Sequence, residues 1–295
     1  MKLRVAENFR AVFYAPFYAI RALGFPEREG LAVEWLPSEA PGSTIEQVKR
    51  GGVDAQWGGP MRVLKDHDST AASLVCFGEV VGHDPFYVIG RKQATHFQLK
   101  DLGAMRLGVV SEVPTPWYCL RADLEDAGVD TATMDLIKDL TMPQQLEALA
   151  AGKLDAAQLF EPYASRALAD GNTILYAASS RGPTCYTTFI TSRDSAAKRR
   201  EEFGALTRAT QATLDWLAKE GPAELARVTA PFFPDVPGEL LRAAFERYHA
   251  AGLWSRTTAV SAAGFERLAY SLHMGGFIKR RATYKECVYN FGRRA

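Results

Sequence analysis

Several chemistries are missing from this chain. Its four cysteines, Cys76, Cys119, Cys185 and Cys287, lie far apart and form no Cys-x-x-Cys or Cys/His ligand spacing. Zinc binding is therefore not expected, and nothing requires a disulfide. The five histidines, His67, His83, His96, His249 and His273, lack metal spacing as well. No P-loop, Gly-x-Gly-x-x-Gly, Gly-x-Ser-x-Gly or His-Glu-x-x-His is present, so the common signatures of nucleotide binding, serine nucleophiles and zinc hydrolases are gone and no cofactor is expected. A surplus of one charge is missing too. With 35 basic and 34 acidic residues the net charge is +1, which gives no reason to expect nucleic acid or an anionic membrane as partner. The short run Lys279-Arg280-Arg281 beside a glycine turn reads as solvated surface. No apolar run reaches bilayer length, so no membrane span is expected. Met1-Lys2-Leu3-Arg4-Val5 leads directly into a strand-like segment. The expectation is thus a cytoplasmic protein, periplasmic only if an export signal is missing from the sequence.

What is present is a repeat. Gly51-Gly52-Val53-Asp54-Ala55 is echoed by Gly152-Lys153-Leu154-Asp155-Ala156, 101 residues further on. Each copy follows an amphipathic stretch, residues 44–50 and 143–149, so each reads as a helix that ends at glycine and returns into a strand. Strand-like runs precede both helices, at 31–36 and 135–140, and further runs at 3–6 and 106–110 open the two units. The order strand, helix, strand, helix, strand, twice over, predicts an α/β protein with two similar lobes, each a mainly parallel sheet flanked by helices. A length of 295 residues with 47% hydrophobic composition supports two cores.

Residues 85–90 and 186–191 read as extended crossings, which together make a hinge. The predicted division is residues 1–87 with 189–295 as one lobe and 88–188 as the other. From Asp194 onward the pattern is helical, with one long helix expected over 195–219 and a tail packing back on the first lobe.

In open parallel sheets ligands bind outside the carboxyl ends of the strands. The segments after the predicted strands supply the candidates: Asn8, Arg10, Phe13 and Tyr14; Ser43; Trp57, Gly58, Gly59 and Arg62; Ser111, Glu112, Thr115 and Trp117; Phe160, Glu161 and Tyr163; and Arg181. Aromatics give flat apolar walls and glycines let backbone amides approach a ligand. The alternative for Trp57, Trp117 and Tyr163 is a place in the core. Arg62 and Arg181 could grip a carboxylate, sulfonate or phosphate, or pair internally with Glu79, Glu112 or Glu161. For catalysis the candidates are Glu112 and Glu161 as acid or base and Cys119, in the first turn of a helix, as nucleophile; the alternative for Cys119 is a buried structural cysteine.

Residues 13–20 followed by Gly24-Phe25-Pro26-Glu27-Arg28-Glu29-Gly30-Leu31-Ala32-Val33-Glu34 resemble the opening of the substrate-binding proteins of nitrate, sulfonate and taurine ABC importers, whose superfamily includes thiamine-pyrimidine precursor binding proteins and synthases. The two Gly-x-Φ-Asp entries (Φ aliphatic) and Asp101-Leu102-Gly103-Ala104-Met105-Arg106-Leu107-Gly108-Val109 fit the same pattern. The resemblance implies a type II periplasmic-binding-protein fold that closes on a small, anionic or aromatic organic solute, with an importer permease as partner if the protein is exported. It also leaves open a decarboxylase or lyase acting on a small aromatic or heterocyclic acid. The pyrimidine synthases carry a cofactor-bearing lysine and a histidine where this chain has Trp57-Gly58-Gly59-Pro60-Met61-Arg62, so that chemistry is not implied.

Overall fold

The structure is a computed structural model that describes residues 1–38, 40–91 and 96–291. Two five-stranded sheets form its frame. In chain order the strands are β1 (Lys2–Ala6), β2 (Ala32–Leu36), β3 (Ala55–Gly58), β4 (Leu74–Val81), β5 (Tyr87–Gly90), β6 (Leu107–Gly108), β7 (Leu136–Ile137), β8 (Ala156–Leu159), β9 (Thr173–Ala177) and β10 (Thr187–Ser192). The first sheet runs β2-β1-β3-β10-β4 and the second β7-β6-β8-β5-β9. Each lobe therefore places its second, first and third strands side by side, then a strand crossing from the other lobe, then its own fourth strand. The crossing strands run antiparallel to their neighbours, β10 between β3 and β4 and β5 between β8 and β9. The sheets are consequently mixed, with parallel pairing confined to β2-β1-β3 and β7-β6-β8.

The repeated Gly-x-Φ-Asp has a physical explanation. Gly51 and Gly152 adopt φ of 75° and 69°, a left-handed conformation that costs glycine little. At each, the helix closes with paired bonds: Gly51 N to Val48 O and Gly52 N to Gln47 O, Gly152 N to Leu149 O and Lys153 N to Ala148 O. Val53 and Leu154 then enter the core, 2% and 1% exposed. The aspartates pin the register of the first strand. Asp54 accepts from Arg4 N at 2.7 Å and Asp155 from Arg106 N at 3.0 Å.

The C-terminal region differs from the expectation in two ways. The helix expected over 195–219 is divided at Arg199, which leaves helical geometry (φ −121°, ψ 41°) between the helices Arg193–Lys198 and Arg200–Thr229. Arg199 instead reaches Asp54 at 2.7 Å. The tail packs on the first lobe, where Phe203 lies edge-on to Phe77 at 5.3 Å, and it also straps the second. Arg247 bonds Glu161 at 2.7 Å, Tyr248 Oη receives a bond from Glu161 N at 2.9 Å, and Tyr270 Oη donates to Asp126 at 3.0 Å. Among the described residues no helix is long and apolar enough to cross a membrane.

Candidate ligand-binding cleft

Where β1 ends, the chain turns through Asn8 and Phe9 into the short 3-10 helix Val12–Tyr14 and the helix Ala15–Ala22. The turn is anchored on both sides. Asn8 Oδ1 accepts from Gly42 N at 2.8 Å, Asn8 Nδ2 donates to Tyr14 Oη at 3.3 Å, and Trp254 Nε1 donates to Phe13 O at 3.0 Å. After β3, Gly59 and Pro60 lead into the helix Met61–Asp66. Opposite, Pro114 starts the helix Thr115–Asp126 of the second lobe. These segments enclose a cavity between the lobes. The first lobe lines it with Asn8, Phe9, Phe13, Tyr14, Gly59, Met61 and Arg62, the second with Val113, Pro114 and Thr115, and the crossing with Tyr186.

Among the described residues Arg62 is the one formal charge on these walls. Its side chain lies against Gly42, where an added Cβ would fall 2.0 Å from Nη1, so a side chain at that position would displace the guanidinium. Burial draws its pKa below the usual arginine value, and only the Tyr14 phenol offsets that. Among the described residues the guanidinium has no carboxylate partner. Tyr14 is itself buried, with its phenol pushed up to about 12, so it faces the cleft as a neutral hydroxyl. The amino end of the helix Thr115–Asp126 adds the positive end of a helix dipole across the cleft. The open core of the cavity is ≈ 30 Å³, room for about two waters and far below the roughly 300 Å³ of a typical ligand pocket. An organic ligand therefore enters only if the lobes part.

Six sequence-predicted residues meet here: Asn8, Phe13, Tyr14, Gly59, Arg62 and Thr115. Gly58 lies just beneath, its Cβ position 3.5 Å from Asn8 Cγ. The others are elsewhere, for identifiable reasons. Arg181 is held by Asp84 at 2.6 Å and by Asp123, with its side chain only 3% exposed, so its charge is already paired at the hinge and lies outside the cleft lining. Glu161, fully buried, accepts from Arg247 Nε and from Ser165 N at 2.9 Å. Glu112 is exposed and caps the helix Met142–Ala150 through Met142 N at 2.9 Å. Ser111 bonds Leu140 O, and Ser43 bonds Ser38. Trp117 packs in the second core beneath Lys138, and Tyr163 lies under Arg166. Phe160 stands edge-on behind Phe13 at 5.3 Å, a second layer of the wall. Arg10 and Trp57 line a different pocket. Cys119 is fully buried away from the cleft lining, and burial pushes its thiol up to about 12.

Phe9, Met61, Val113 and Pro114 sit in the loops that the strand-end rule marks, but nothing in their residue type singled them out. Tyr186 was read only as part of the crossing strand. Among the described residues the lining holds no carboxylate, thiol or histidine. Its chemistry is hydrogen bonding, aromatic contact and one cation.

Fold and cleft together define a class: the two-lobed α/β proteins of periplasmic-binding-protein type, with crossing strands forming the hinge. Within that class the chain belongs to the family described as NMT1/THI5 like, whose model matches residues 12–224. It is similar to YtlA of Bacillus subtilis (strain 168), named as a candidate binding protein, with 24% identity over 97% of this chain and 87% of that one. Among solved structures it resembles the periplasmic aliphatic sulphonate binding protein SsuA from Escherichia coli (TM-score 0.78, 15% identity, 98% and 97% of the two chains). It also resembles the alkanesulfonate-binding protein SsuA from Xanthomonas axonopodis pv. citri bound to MOPS (TM-score 0.73, 16% identity, 98% of each chain). At these identities the structural likeness speaks to fold.

Proposed function

We propose that the protein captures a small organic anion in the interlobe cleft, as a solute-binding protein does, and that a carboxylate or sulfonate headgroup meets Arg62. The observation that carries this reading is Arg62 itself, a partly buried guanidinium on the wall of a cleft with no carboxylate partner among the described residues. A buried cation without a counter-charge is costly, and an incoming anion relieves that cost through charge-assisted bonds. Phe9, Phe13, Tyr14 and Tyr186 suit an apolar or aromatic ligand body, while Asn8 and Thr115 offer polar contacts. The two lobes, residues 1–87 with 189–295 and residues 88–188, turn about the crossings near 82–86 and 182–186 to admit and then enclose it. Among the described residues the lining offers no carboxylate, thiol or histidine, which favours binding over catalysis. The sulfonate-binding relatives make sulfonates the first class to try. The periplasmic Escherichia coli relative raises the same location, with a permease partner, as the reading to weigh against a cytoplasmic one, and cell fractionation decides between them.

The test is a thermal-shift and calorimetric screen of alkane sulfonates and carboxylates. A ligand should raise the unfolding midpoint. Arg62→Ala should weaken that ligand at least about tenfold, the worth of a hydrogen bond to a charged group, without lowering the midpoint of the free protein. An unchanged affinity in Arg62→Ala would refute the role given to Arg62.

A further inference from the structure

Met61 and Arg62 line a second cavity as well as the cleft. This side pocket lies beside the first sheet, between the helices Ile45–Lys49 and Met61–Asp66, and is completed by Leu74 at the start of β4 and by Phe277 of the tail. Its open core is ≈ 280 Å³ against ≈ 30 Å³ in the cleft, close to the roughly 300 Å³ at which small-ligand pockets begin. Lys65 and Ser69 on its rim are exposed, so a ligand reaches it without the lobes parting. With the lobes as they stand, this pocket and not the cleft is where an organic molecule fits beside Arg62.

Its lining divides into an apolar floor and a charged rim. Ile45, Met61, Leu74 and Phe277 make the floor, with Met61 and Leu74 buried and the other two half-buried. Phe277 is held by Tyr118 at 5.1 Å and by the Lys65 ammonium 5.3 Å over its ring. Among the described residues the rim carries three cations, Lys49, Arg62 and Lys65, and one carboxylate, Asp66. The two lysines are already matched. Asp66 holds Lys49 at 2.7 Å while its other oxygen accepts from Ser73 N and Leu74 N, and Lys65 bonds Asp68 at 3.2 Å and Phe277 O at 2.8 Å. Arg62 has no carboxylate partner among the described residues. An aliphatic floor beside one unmatched cation has a plain complement, a monoanion on a short alkyl chain.

We infer that the side pocket is a binding site for a short-chain alkyl carboxylate, with the chain on Ile45, Leu74 and Phe277 and the carboxylate on Arg62. It draws on the residue that also lines the cleft, so a ligand in either place weakens the other by the same factor. The pocket's own volume and lining carry this site, and only that coupling depends on the cleft reading. Hexanoate is the probe, titrated by calorimetry into the full chain. Affinity should rise about fourfold per methylene from butanoate to hexanoate. Arg62→Ala should weaken hexanoate about tenfold, and Ile45→Ser and Phe277→Ala should each flatten the chain-length series. Thermal midpoints check that the variants fold, and Ile45→Ser leaves the tail intact should Phe277→Ala loosen it. No hexanoate binding, an affinity that ignores chain length, or one indifferent to Ile45→Ser or to Arg62→Ala overturns the proposal. Thr115 lines the cleft and not the side pocket, so Thr115→Val separates the two sites. It should weaken a cleft ligand and leave hexanoate unchanged; hexanoate that responds to Thr115→Val and not to Ile45→Ser sits in the cleft, which also overturns the side pocket. If hexanoate behaves as expected while no ligand responds to Thr115→Val, the cleft reading fails alone.

Discussion

In the first lobe, the loop after the third strand carries Arg62, a cation beside the cleft with no carboxylate partner among the described residues. In the second lobe, the corresponding loop carries Glu161, an anion fully buried and tied to Arg247, Ser165 and the tail. The frames are the same in strand order, in the glycine that ends the second helix and in the aspartate that pins the first strand. The groups that set backbone register match between the lobes, and the loop charges do not. One lobe leaves its charge on the cleft wall, whereas the other uses charge to fasten the hinge and the C-terminal helices. Function is therefore unequally shared. The first lobe supplies most of the polar lining, and the second faces it with Val113, Pro114 and Thr115.

That contrast is sharpest in stability measurements. Arg181→Met strands Asp84 and Asp123, both gripped by this one guanidinium, and should cost about 3–5 kcal/mol in denaturant unfolding, the usual penalty for removing one partner of a buried ion pair. The cost should depend on pH in a known direction. Burial already pushes Asp84 up while Arg181 opposes it. Without Arg181 the folded pKa rises further above the unfolded value, so the variant loses stability as pH rises through that range and regains it in acid. A cost under about 1 kcal/mol at neutral pH would mean that the hinge is held by packing alone. Glu161→Gln comes next. It keeps an acceptor for Ser165 N but removes the charge from Arg247, whose side chain is 33% exposed and can reach water, and should cost about 1.5–3 kcal/mol. A stability loss from Arg62→Ala as large as either would erase the distinction between the lobes.

How much of this was legible in the sequence follows from the kind of signal each feature leaves. The Gly-x-Φ-Asp repeat forecast two lobes because helix termini and strand entries depend on local backbone chemistry. β4 was not foreseen. Leu74–Val81 is buried throughout, so it lacks the alternation that marks a half-exposed strand. The break at Arg199 was equally hidden, since its cause is Asp54, 145 positions away in the chain. In the cleft, the strand-end rule located the right loops but could not say which way each side chain points. Asn8 and Arg10 are neighbours in sequence and face different cavities. Charge partners were the least legible. Arg62 and Arg181 looked alike as anion receptors, and only the folded positions of Asp84 and Asp123 separate them.

The smallest effect tests the shared part of the plan. Asp54 and Asp155 do the same backbone work, each accepting from the first strand of its lobe, but their surroundings differ. The Asp54 side chain is 10% exposed and also holds Arg199 at 2.7 Å, whereas that of Asp155 is 48% exposed, with Arg91 at 3.7 Å. A hydrogen bond is worth about 1 kcal/mol net. A surface ion pair adds almost nothing, while a sheltered one whose loss leaves a cation short of its partner adds more. Asp155→Ala should therefore cost about 0.5–1 kcal/mol and Asp54→Ala about twice that, read as a shift in denaturant midpoint at unchanged slope. Combining Arg199→Ala with Asp54→Ala isolates the reason. If the double variant is no less stable than Asp54→Ala alone, the excess belongs to the Arg199 contact, and the first lobe has tied its repeated aspartate to the tail where the second has not. Equal costs at the two positions would mean that the backbone bond alone sets the value of the repeat, and that the tail gains nothing from Arg199 leaving its helix.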